Sequence, residues 1–377
     1  MTELTSRQVL TPMRTAPVES VPTSTAYVVV LNWMNVDDTL GCLDSLAQLE
    51  GPTPTIVVCD NASPNDSVPR LRAWGANALA AINQARAAKG APEFAFRDLT
   101  DAGEPPAAEG GGPAVVLIQT GANLGYAGGN NVGIRYALSD PQCQHVWILN
   151  NDTRVESGAL RHMLDRMAQD PQIGLCGATL CYAEEPDKVQ VYAGASFDKW
   201  TGRAKHLGMG ASVRDPIDPA AIEKKLAYVM GACMLASRSF LETVGLMEEK
   251  YFLYFEELEW ANRARGRFKL GYAKPAVVYH KVGGSIGSSE HSEPSELSEY
   301  YLRRNRVRFC LDHSKVSLPI VAVRLLKDLL KLALVGKWRR ASLILRASFG
   351  GSLRSVLYFA AADVSLWVAT DVAGLLT

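Results

Sequence analysis

The sequence predicts an α/β protein with a mostly parallel, Rossmann-like sheet flanked by helices. Three observations favour this class: short apolar runs rich in β-branched residues, polar residues directly after those runs, and helical periodicity between them. Such short runs are typical of strands buried on both faces. Because predicted strands alternate with predicted helices, the strands are expected to lie parallel in one sheet.

The sheet is predicted to open with a strand–helix–strand unit. Residues 26–31 form its first strand and residues 55–59 its second. Apolar residues between them recur at helical spacing, and either Asp37 or Asp38 can cap the start of this helix. A unit of this kind is right-handed in nearly all proteins and places its two strands in parallel.

A glycine-rich segment follows the next strand, residues 115–119. This segment, residues 123–131, precedes a helix, where backbone N–H groups and the helix start favour an anionic ligand. It lacks the spacing of dinucleotide-binding and triphosphate-binding loops, which disfavours a dehydrogenase or a nucleoside triphosphatase. A structural interpretation also remains open, in which Gly128 and Gly129 only allow tight packing.

The apolar run at residues 146–149 stops at Asn150, Asn151 and Asp152. A carboxylate at the carboxyl end of a buried parallel strand lies where open α/β sheets bind ligands, and its oxygens suit a hard divalent cation. The structural alternative is a helix cap, since Thr153 and Glu156 have the spacing of a capping box.

Two further sites carry candidate chemistry. Aromatic residues run directly into Glu256 and Glu257, which cannot both face the same side of a helix. A carboxylate beside aromatic rings has a raised pKa, because its ionised form is desolvated, and it can then accept a proton near neutrality. A predicted strand at residues 276–279 delivers His280, although a single histidine is more often structural than a metal ligand.

Composition excludes several classes of protein. Apolar residues make up 47% of the chain and charged residues 21%, as in a folded protein. Equal numbers of basic and acidic residues, 39 each, argue against a nucleic-acid binder. The seven cysteines form no Cys-x-x-Cys pair, and we interpret them as reduced core thiols of a cytosolic protein.

The predicted organisation has three parts. Residues 1–25, rich in Thr, Ser and Pro, are predicted to be a disordered leader, and residues 26–300 the main domain, with an insertion at about 68–113. Within the main domain, the forty residues after 182 show weak periodicity and predict a loop-rich lobe that contacts a second substrate. Residues 301–377 are predicted to be a basic helical region.

The C-terminal region carries a large excess of basic over acidic residues. Thirteen Lys or Arg lie between residues 301 and 355, against Asp312 and Asp328. Apolar residues alternate with these cations as in a helix lying on an anionic membrane. Residues 356–376 are apolar but contain two aspartates, which favours peripheral attachment over spanning. A helical cap packed on the main domain is an equal alternative.

Taken in order, these segments resemble the family 2 glycosyltransferases with the GT-A fold, and most of all their bacterial rhamnosyltransferase branch. The resemblance covers about two-thirds of the chain, from residue 26 to residue 286. The matching segments are residues 28–33, 57–63, 123–133, 149–152, 231–234 and 254–257, together with His280.

The resemblance implies an inverting transfer of a sugar, by preference rhamnose from dTDP-rhamnose, to a hydroxyl of a glycan or lipid-linked acceptor in cell-surface polysaccharide synthesis. The implied donor-binding residues lie on the first strands, in the glycine-rich segment and before the metal carboxylate: Asn32, Asp60, Asn61, Asn123, Gly128, Gly129, Asn130 and Asn151. The implied localisation is the cytoplasm, at the inner face of the cell membrane. No nucleic-acid partner is implied.

The resemblance also implies the metal and the base. Asp152 matches the last carboxylate of a degenerate Asp-x-Asp motif that binds the donor diphosphate through Mg²⁺ or Mn²⁺, and His280 matches a position that completes the metal shell. The family's base is the second acid of a Glu-Asp pair. Glu257 stands there, one methylene longer than Asp, and Glu256 is the fallback.

Two other functions are alternatives to sugar transfer. A nucleotidyltransferase would need a basic glycine-rich loop near the first strand, but residues 32–38 contain no Lys, Arg or Gly. A non-catalytic glycan-binding relative would be expected to lose the metal carboxylate or the base. Asp152 and Glu257 are both present, so this interpretation is the weakest.

Overall fold

A computed structural model describes residues 25–100, 107–108, 112–281 and 295–349. Residues 1–24 of the predicted leader, most of the predicted loop at 102–113 and the apolar stretch at 356–376 lie outside the described residues.

The described chain alternates strands and helices. The strands are β1 Thr25–Asn32, β2 Thr55–Asp60, β3 Ala95–Asp98, β4 Ala114–Gln119, β5 Cys143–Asn150, β6 Thr153–Val155, β7 Ile173–Tyr182, β8 Val189–Tyr192, β9 Gly194–Asp198, β10 Arg203–His206, β11 Tyr228–Val229, β12 Cys233–Ser237 and β13 Lys269–His280. The helices are α1 Val36–Leu46, α2 Ser67–Ala87, α3 Gly125–Leu138, α4 Ala159–Gln169, α5 Pro219–Glu223, α6 Arg238–Val244, α7 Glu256–Ala264, α8 Glu296–His313, α9 Leu318–Leu334 and α10 Trp338–Phe349.

The main sheet has the order β3-β4-β2-β1-β5-β12-β7-β13-β6, with β8 paired to β7. The first five strands in this order are all parallel, and β7 and β13 are parallel to each other. Strand β12 is inserted antiparallel between β5 and β7. The predicted α/β class, with a mostly parallel sheet flanked by helices, is confirmed.

Apolar side chains cover both faces of this sheet. Along β1, Val28 and Val30 pack into one core cluster, while Val29 belongs to the cluster on the opposite face. The first cluster receives side chains from α1, α2 and α4, and the second from α3, α6 and α7. Continuous apolar runs are therefore required in the central strands, which is why the sequence reveals them. All seven cysteines are buried and free, as core thiols are.

Three local predictions were wrong. Helix α1 starts at Val36 with Asn35 as its N-cap, so neither Asp37 nor Asp38 caps it, and Asp38 instead binds Lys281 at 3.2 Å. The capping box is also wrong, because Thr153 lies in β6 and α4 begins only at Ala159. The edge strand β3 was missed, since its half-exposed residues lack an apolar run.

The predicted loop-rich lobe after residue 182 contains loops and, in addition, several short strands. Strand β8 joins the main sheet, and β10, β9 and β11 form a second, three-stranded antiparallel sheet. Sequence periodicity did not reveal these strands because they are short. In β10 the residues are mostly exposed on both faces, so no apolar alternation marks the strand.

The C-terminal region is helical as far as the structure describes it. Helix α8 spans the predicted boundary at residue 300, and α10 packs against both α8 and α9. Within residues 25–349, as far as they are described, no helix is long and apolar enough to cross a membrane.

Candidate active site

A cleft of about 980 Å³ opens at the carboxyl ends of the parallel strands. Residues directly after β1, β2 and β5, and the last residue of β13, line it, as expected for a ligand site in an open α/β sheet. The cleft brings together seven of the predicted site residues: Asn61, Asn123, Asn151, Asp152, Glu256, Glu257 and His280.

Strand pairing places Asp152 beside His280. The chain turns after β5 and returns as β6, which pairs antiparallel with β13 so that Thr153 lies opposite His280. The Lys281 N–H donates to the Asp152 carbonyl at 2.9 Å. As a result, Asp152 Oδ1 lies 3.3 Å from His280 Nε2, although the two residues are 128 positions apart.

This pair fits a divalent cation. His280 Nδ1 lies 2.9 Å from Gln190 Oε1, an oxygen that only accepts, so in the neutral ring with its proton on Nδ1 the Nε2 atom presents a lone pair towards Asp152. Asp152 Oδ1 is buried and has no hydrogen-bond partner among the described residues. Two facing acceptors suit a shared cation. Among the described residues no third acidic, histidine or cysteine ligand joins them, so oxygens of a bound diphosphate and water would complete the shell.

A strained turn presents the two glutamates. Tyr254 and Phe255 both adopt left-handed backbone angles, with φ of 67° and 75°, which is unfavourable for bulky side chains. Asn305 of α8 stabilises the turn, since its Nδ2 donates to the carbonyls of Leu253 at 2.8 Å and Tyr254 at 3.0 Å. Helix α7 begins directly afterwards, at Glu256.

The two carboxyl groups differ in environment. Glu257 Oε1 accepts a hydrogen bond of 3.1 Å from the Gly231 N–H, whereas Glu256 Oε2 is buried and has no hydrogen-bond partner in the described part of the chain. Burial raises the pKa of both groups, and the charge of Glu257 raises the pKa of Glu256 further. The Gly231 N–H works in the opposite direction on Glu257. Glu257 is therefore the group that ionises first, and a protonated Glu256 avoids a second buried charge.

Gly231 is required by this contact. A Cβ atom at Gly231 would lie 2.7 Å from Glu257 Oε1 and 2.9 Å from the Tyr126 hydroxyl. The Tyr126 hydroxyl donates to the Gly231 carbonyl at 2.5 Å. The glycine thus lets its own backbone reach the carboxylate of Glu257 on one side and Tyr126 on the other.

Asn32 and Asp60 lie beneath the cleft rather than on its wall. Asn32 Nδ2 donates to Asp60 Oδ1 at 2.7 Å, and the Ser63 N–H donates to Asp60 Oδ2 at 3.0 Å. Both side chains are fully buried. Asn61 instead lines the cleft and donates to Asn123 Oδ1 at 3.0 Å. The predicted roles of Asn32 and Asp60 in donor binding remain predictions, and the structure shows that both fix the strand ends from which Asn61 projects.

The glycine-rich segment also packs against protein. A Cβ at Gly128 would lie 2.7 Å from Leu124 Cβ, and one at Gly129 would lie 2.5 Å from a Leu31 methyl. Asn130 is buried and donates to the Tyr126 carbonyl at 2.9 Å. None of these three residues lines the cleft. Their donor-binding roles stay predictions, while the packing role left open by the sequence is what the contacts show.

Sequence reasoning missed three residues of the site. Tyr126, Gln190 and Asn305 contact functional groups from distant parts of the chain. Tyr126 lies inside the glycine-rich segment that the sequence singled out. Gln190 and Asn305 carry no local signal, because each acts through a contact that only the folded chain creates.

The fold and the cleft define an α/β protein with a ligand site at the carboxyl ends of its parallel strands. Residues 101–245 match the family model described as glycosyl transferase family 2. The predicted resemblance to family 2 glycosyltransferases is thereby confirmed over these residues.

Two curated relatives are similar over part of the chain. The low-salt glycan biosynthesis hexosyltransferase Agl10 of Haloferax volcanii is 29% identical over 149 residues, which are 39% of this chain and 45% of the relative. The N-acetylglucosaminyl-diphospho-decaprenol L-rhamnosyltransferase of Mycobacterium tuberculosis is 26% identical over 225 residues, 54% of this chain and 71% of the relative. The chain thus matches less than half of the length of the first of these relatives.

Solved structures with partial likeness include two that hold Mn²⁺. The mannosyltransferase PcManGT from Pyrobaculum calidifontis, in complex with GDP-Man and Mn²⁺, aligns with a TM-score of 0.47 and 13% identity over 90% of this chain and 79% of its own. GalNAc-T7, with UDP, GalNAc and Mn²⁺, aligns with a TM-score of 0.49 and 16% identity over 78% of this chain and 50% of its own.

Proposed function

We propose that this chain is a metal-dependent, inverting glycosyltransferase that moves a sugar from a nucleoside-diphosphate sugar to a hydroxyl of a glycan or lipid-linked acceptor. One observation carries the proposal: Asp152, His280 and Glu257 line a single cleft at the carboxyl ends of the sheet. The match of residues 101–245 to glycosyl transferase family 2 supports it. A protein that only binds glycans would not need two cation ligands and a proton acceptor in the same cleft.

On the donor side, Asp152 and His280 would hold Mg²⁺ or Mn²⁺. The bound cation would neutralise charge on the departing diphosphate. Asn61, Asn123 and Asn151 also line the cleft, and we assign them to the donor side. Asn151 is itself held by a hydrogen bond of 2.9 Å to Thr39, so its position is fixed before the donor arrives.

On the acceptor side, Glu257 would take the proton of the attacking hydroxyl. Its raised pKa makes the carboxylate a competent proton acceptor near neutral pH, and the Gly231 N–H keeps it oriented. Inversion requires the hydroxyl to attack the anomeric carbon from the side opposite the diphosphate. Glu257 is therefore assigned to the acceptor face of the cleft.

For the donor itself we propose dTDP-rhamnose, a choice supported by the rhamnosyltransferase similarity. The test compares the thermal stability of the protein with dTDP-, UDP- and GDP-sugars, each with Mn²⁺ or Mg²⁺. A bound donor raises the apparent Tm, by an amount that grows with its concentration over Kd. The donor that stabilises the chain is then used in a transfer assay. Absence of stabilisation by every sugar nucleotide, together with absence of transfer, would refute the function.

We further propose that the protein works on an anionic membrane surface at the cytoplasmic side. Helix α9 packs Val321 and Leu325 inward but exposes Val323, Leu330 and Leu334 on its outer face. Lys327 and Lys331 flank that face. An apolar stripe bordered by lysines is typical of a helix lying in the headgroup region of a membrane.

A further inference from the structure

A group of arginines lies where the cleft meets the C-terminal helices. Arg203 of β10 and Arg306 of α8 both line the cleft. Behind Arg306, Arg324 of α9 lines a second, much smaller cavity that Arg306 also lines. These three residues, Arg203, Arg306 and Arg324, are called the arginine cluster below.

In and beside the cluster lie donors that the described chain leaves unsatisfied. Arg306 Nε, Arg324 Nη1 and the Ser348 hydroxyl are buried and have no hydrogen-bond partner among the described residues. All three residues line the small cavity, whose volume of about 10 Å³ is close to that of one water molecule. A water there can serve Arg324 and Ser348, but it cannot compensate the charge of Arg306.

The carboxylates nearby are already committed. Asp328 and Glu299 pair with Arg303, and Glu299 also accepts from Arg340 at 2.9 Å. Asp198 lies in electrostatic range of Arg324, but its two oxygens accept from the Trp200 N–H and the Thr201 hydroxyl, each at 2.8 Å. Within the described chain, no carboxylate forms an ion pair with a member of the cluster.

A partly buried cation without a counter-charge is unfavourable. Burial lowers the pKa of Arg306, and the positive charges of Arg303, Arg203 and Arg324 lower it further. A guanidinium group presents a planar fork of donors that matches the oxygens of phosphate. An anion in the cleft beside Arg203 and Arg306 would relieve the repulsion among these positive charges.

We propose that the arginine cluster binds a phosphate or diphosphate group carried by the acceptor, with Arg203 and Arg306 in contact and Arg324 adding charge from behind. The assignment rests on the proposed function, which puts the donor diphosphate at Asp152 and His280. The cluster belongs to different elements, β10, α8 and α9. Helix α9 also carries the exposed apolar face, so a lipid-linked phosphate at a membrane surface would approach the cleft from this side.

The test measures binding to the full chain without donor and in EDTA, so that neither a sugar nucleotide nor a metal-bound diphosphate contributes. The probes are farnesyl diphosphate, farnesol and inorganic pyrophosphate. We expect farnesyl diphosphate to bind and farnesol not to bind, and we expect Arg306→Gln to weaken farnesyl diphosphate at least tenfold. Arg203→Gln, at an exposed position that does not endanger folding, is expected to weaken it in the same direction.

Arg346→Gln is the matched control, because Arg346 is an exposed arginine of α10 whose guanidinium contacts only Ser342 among the described residues. Unchanged binding in Arg306→Gln and Arg203→Gln would overturn the proposal. Phosphatidylglycerol vesicles serve as a fourth probe. If the arginine variants lost binding only to these vesicles, the proposal would also be overturned, because the ligand would then be a lipid headgroup. Pyrophosphate binding that depends on Arg306 would support recognition of the phosphate itself. These outcomes are independent of sugar transfer, so a failed transfer assay would leave them readable.

Discussion

At the scale of single residues, the site depends on side chains that the backbone brings together from distant positions. Asp152 and His280 meet only because β6 pairs with β13 in one register. A shift of one residue would turn His280 to the other face of the sheet. The sequence could therefore predict a cation-binding carboxylate at a strand end. The contact between Asp152 and His280 could not be predicted, because it depends on the pairing of β6 with β13.

Asp152→Asn is expected to abolish cation-dependent donor binding. Asparagine keeps the size of the side chain but removes the charge that faces His280 Nε2. We expect donor affinity in Mn²⁺ to fall by at least about 100-fold, more than the usual cost of losing a residue that only orients a metal ligand. Calorimetric titration of the donor, with and without Mn²⁺, measures this. Asp165→Asn, an exposed substitution on α4, is the control and should bind as wild type.

Glu257→Gln is expected to lower kcat by about 10²–10⁴-fold, the usual contribution of a general base, with little change in donor affinity. In the wild type, kcat/KM should fall as the pH falls through the raised pKa of Glu257, so the acid limb should lie above the usual glutamate range. The pH–rate profile with a synthetic acceptor checks this. An acid limb that persists in Glu257→Gln would assign it to another group.

Glu256→Gln separates the two acids. The folded-state pKa of Glu256 is raised by burial and by Glu257, so its protonated form stabilises the fold at low pH and this stability is lost as pH rises. Glutamine keeps the neutral shape, and we expect the variant to have a Tm that depends less on pH than that of the wild type. Thermal unfolding from pH 5 to pH 9 measures this. An unchanged pH dependence would contradict the assigned protonation state.

At the scale of elements, local patterns predicted what local sequence determines. The bounds of β1, β2 and β4 were predicted to within one residue, because their buried apolar runs make an uninterrupted signal. The second sheet was missed, since β9, β10 and β11 are short and their pairing is decided by partners far along the chain. The role of α8 in holding the turn before Glu256 could not be predicted from local sequence either, because a single residue, Asn305, contacts that turn about fifty residues away in the chain.

Asn305→Ala tests the dependence of the turn at Tyr254 and Phe255 on α8. Asn305 is completely buried, and its amide supplies two hydrogen bonds to the strained turn before Glu256. Its removal leaves buried carbonyls unpaired, at a cost of about 1–3 kcal/mol each. We expect a lower Tm and a lower kcat, with the donor KM nearly unchanged.

Asn77→Ala is the control for that variant. Asn77 is exposed on α2, and its amide contacts only the Ala73 carbonyl among the described residues. A fall in Tm without any loss of kcat in folded Asn305→Ala protein would show that α8 stabilises the fold without positioning the glutamates. Recovery of kcat in Asn305→Gln would show that the lost contact is the amide hydrogen bond.

At the scale of the whole molecule, the two interpretations of the C-terminal region describe two faces of the same helices. Helix α8 packs on the strained turn before Glu256, and Phe252 stacks on Tyr301 of α8 with ring centroids 4.9 Å apart. The outer face of α9 remains open, with Leu334 88% exposed and Val323 68% exposed. The sequence could not separate these roles, because amphipathic periodicity shows that a helix has two faces without showing what covers each.

Leu334→Glu tests whether that open face meets a membrane. Burying a leucine in a bilayer interface contributes about 1.5–3 kcal/mol, and a charge near an anionic surface changes binding by about 1 kcal/mol. We therefore expect the substitution to reduce partitioning onto phosphatidylglycerol liposomes by more than about tenfold. Met209→Glu, which alters an exposed methionine near β10, is the control and should float like the wild type. Because the flanking lysines act by charge, salt should weaken the wild-type interaction as well. Equal flotation of Leu334→Glu and wild type would mean that this face of α9 does not touch the lipid.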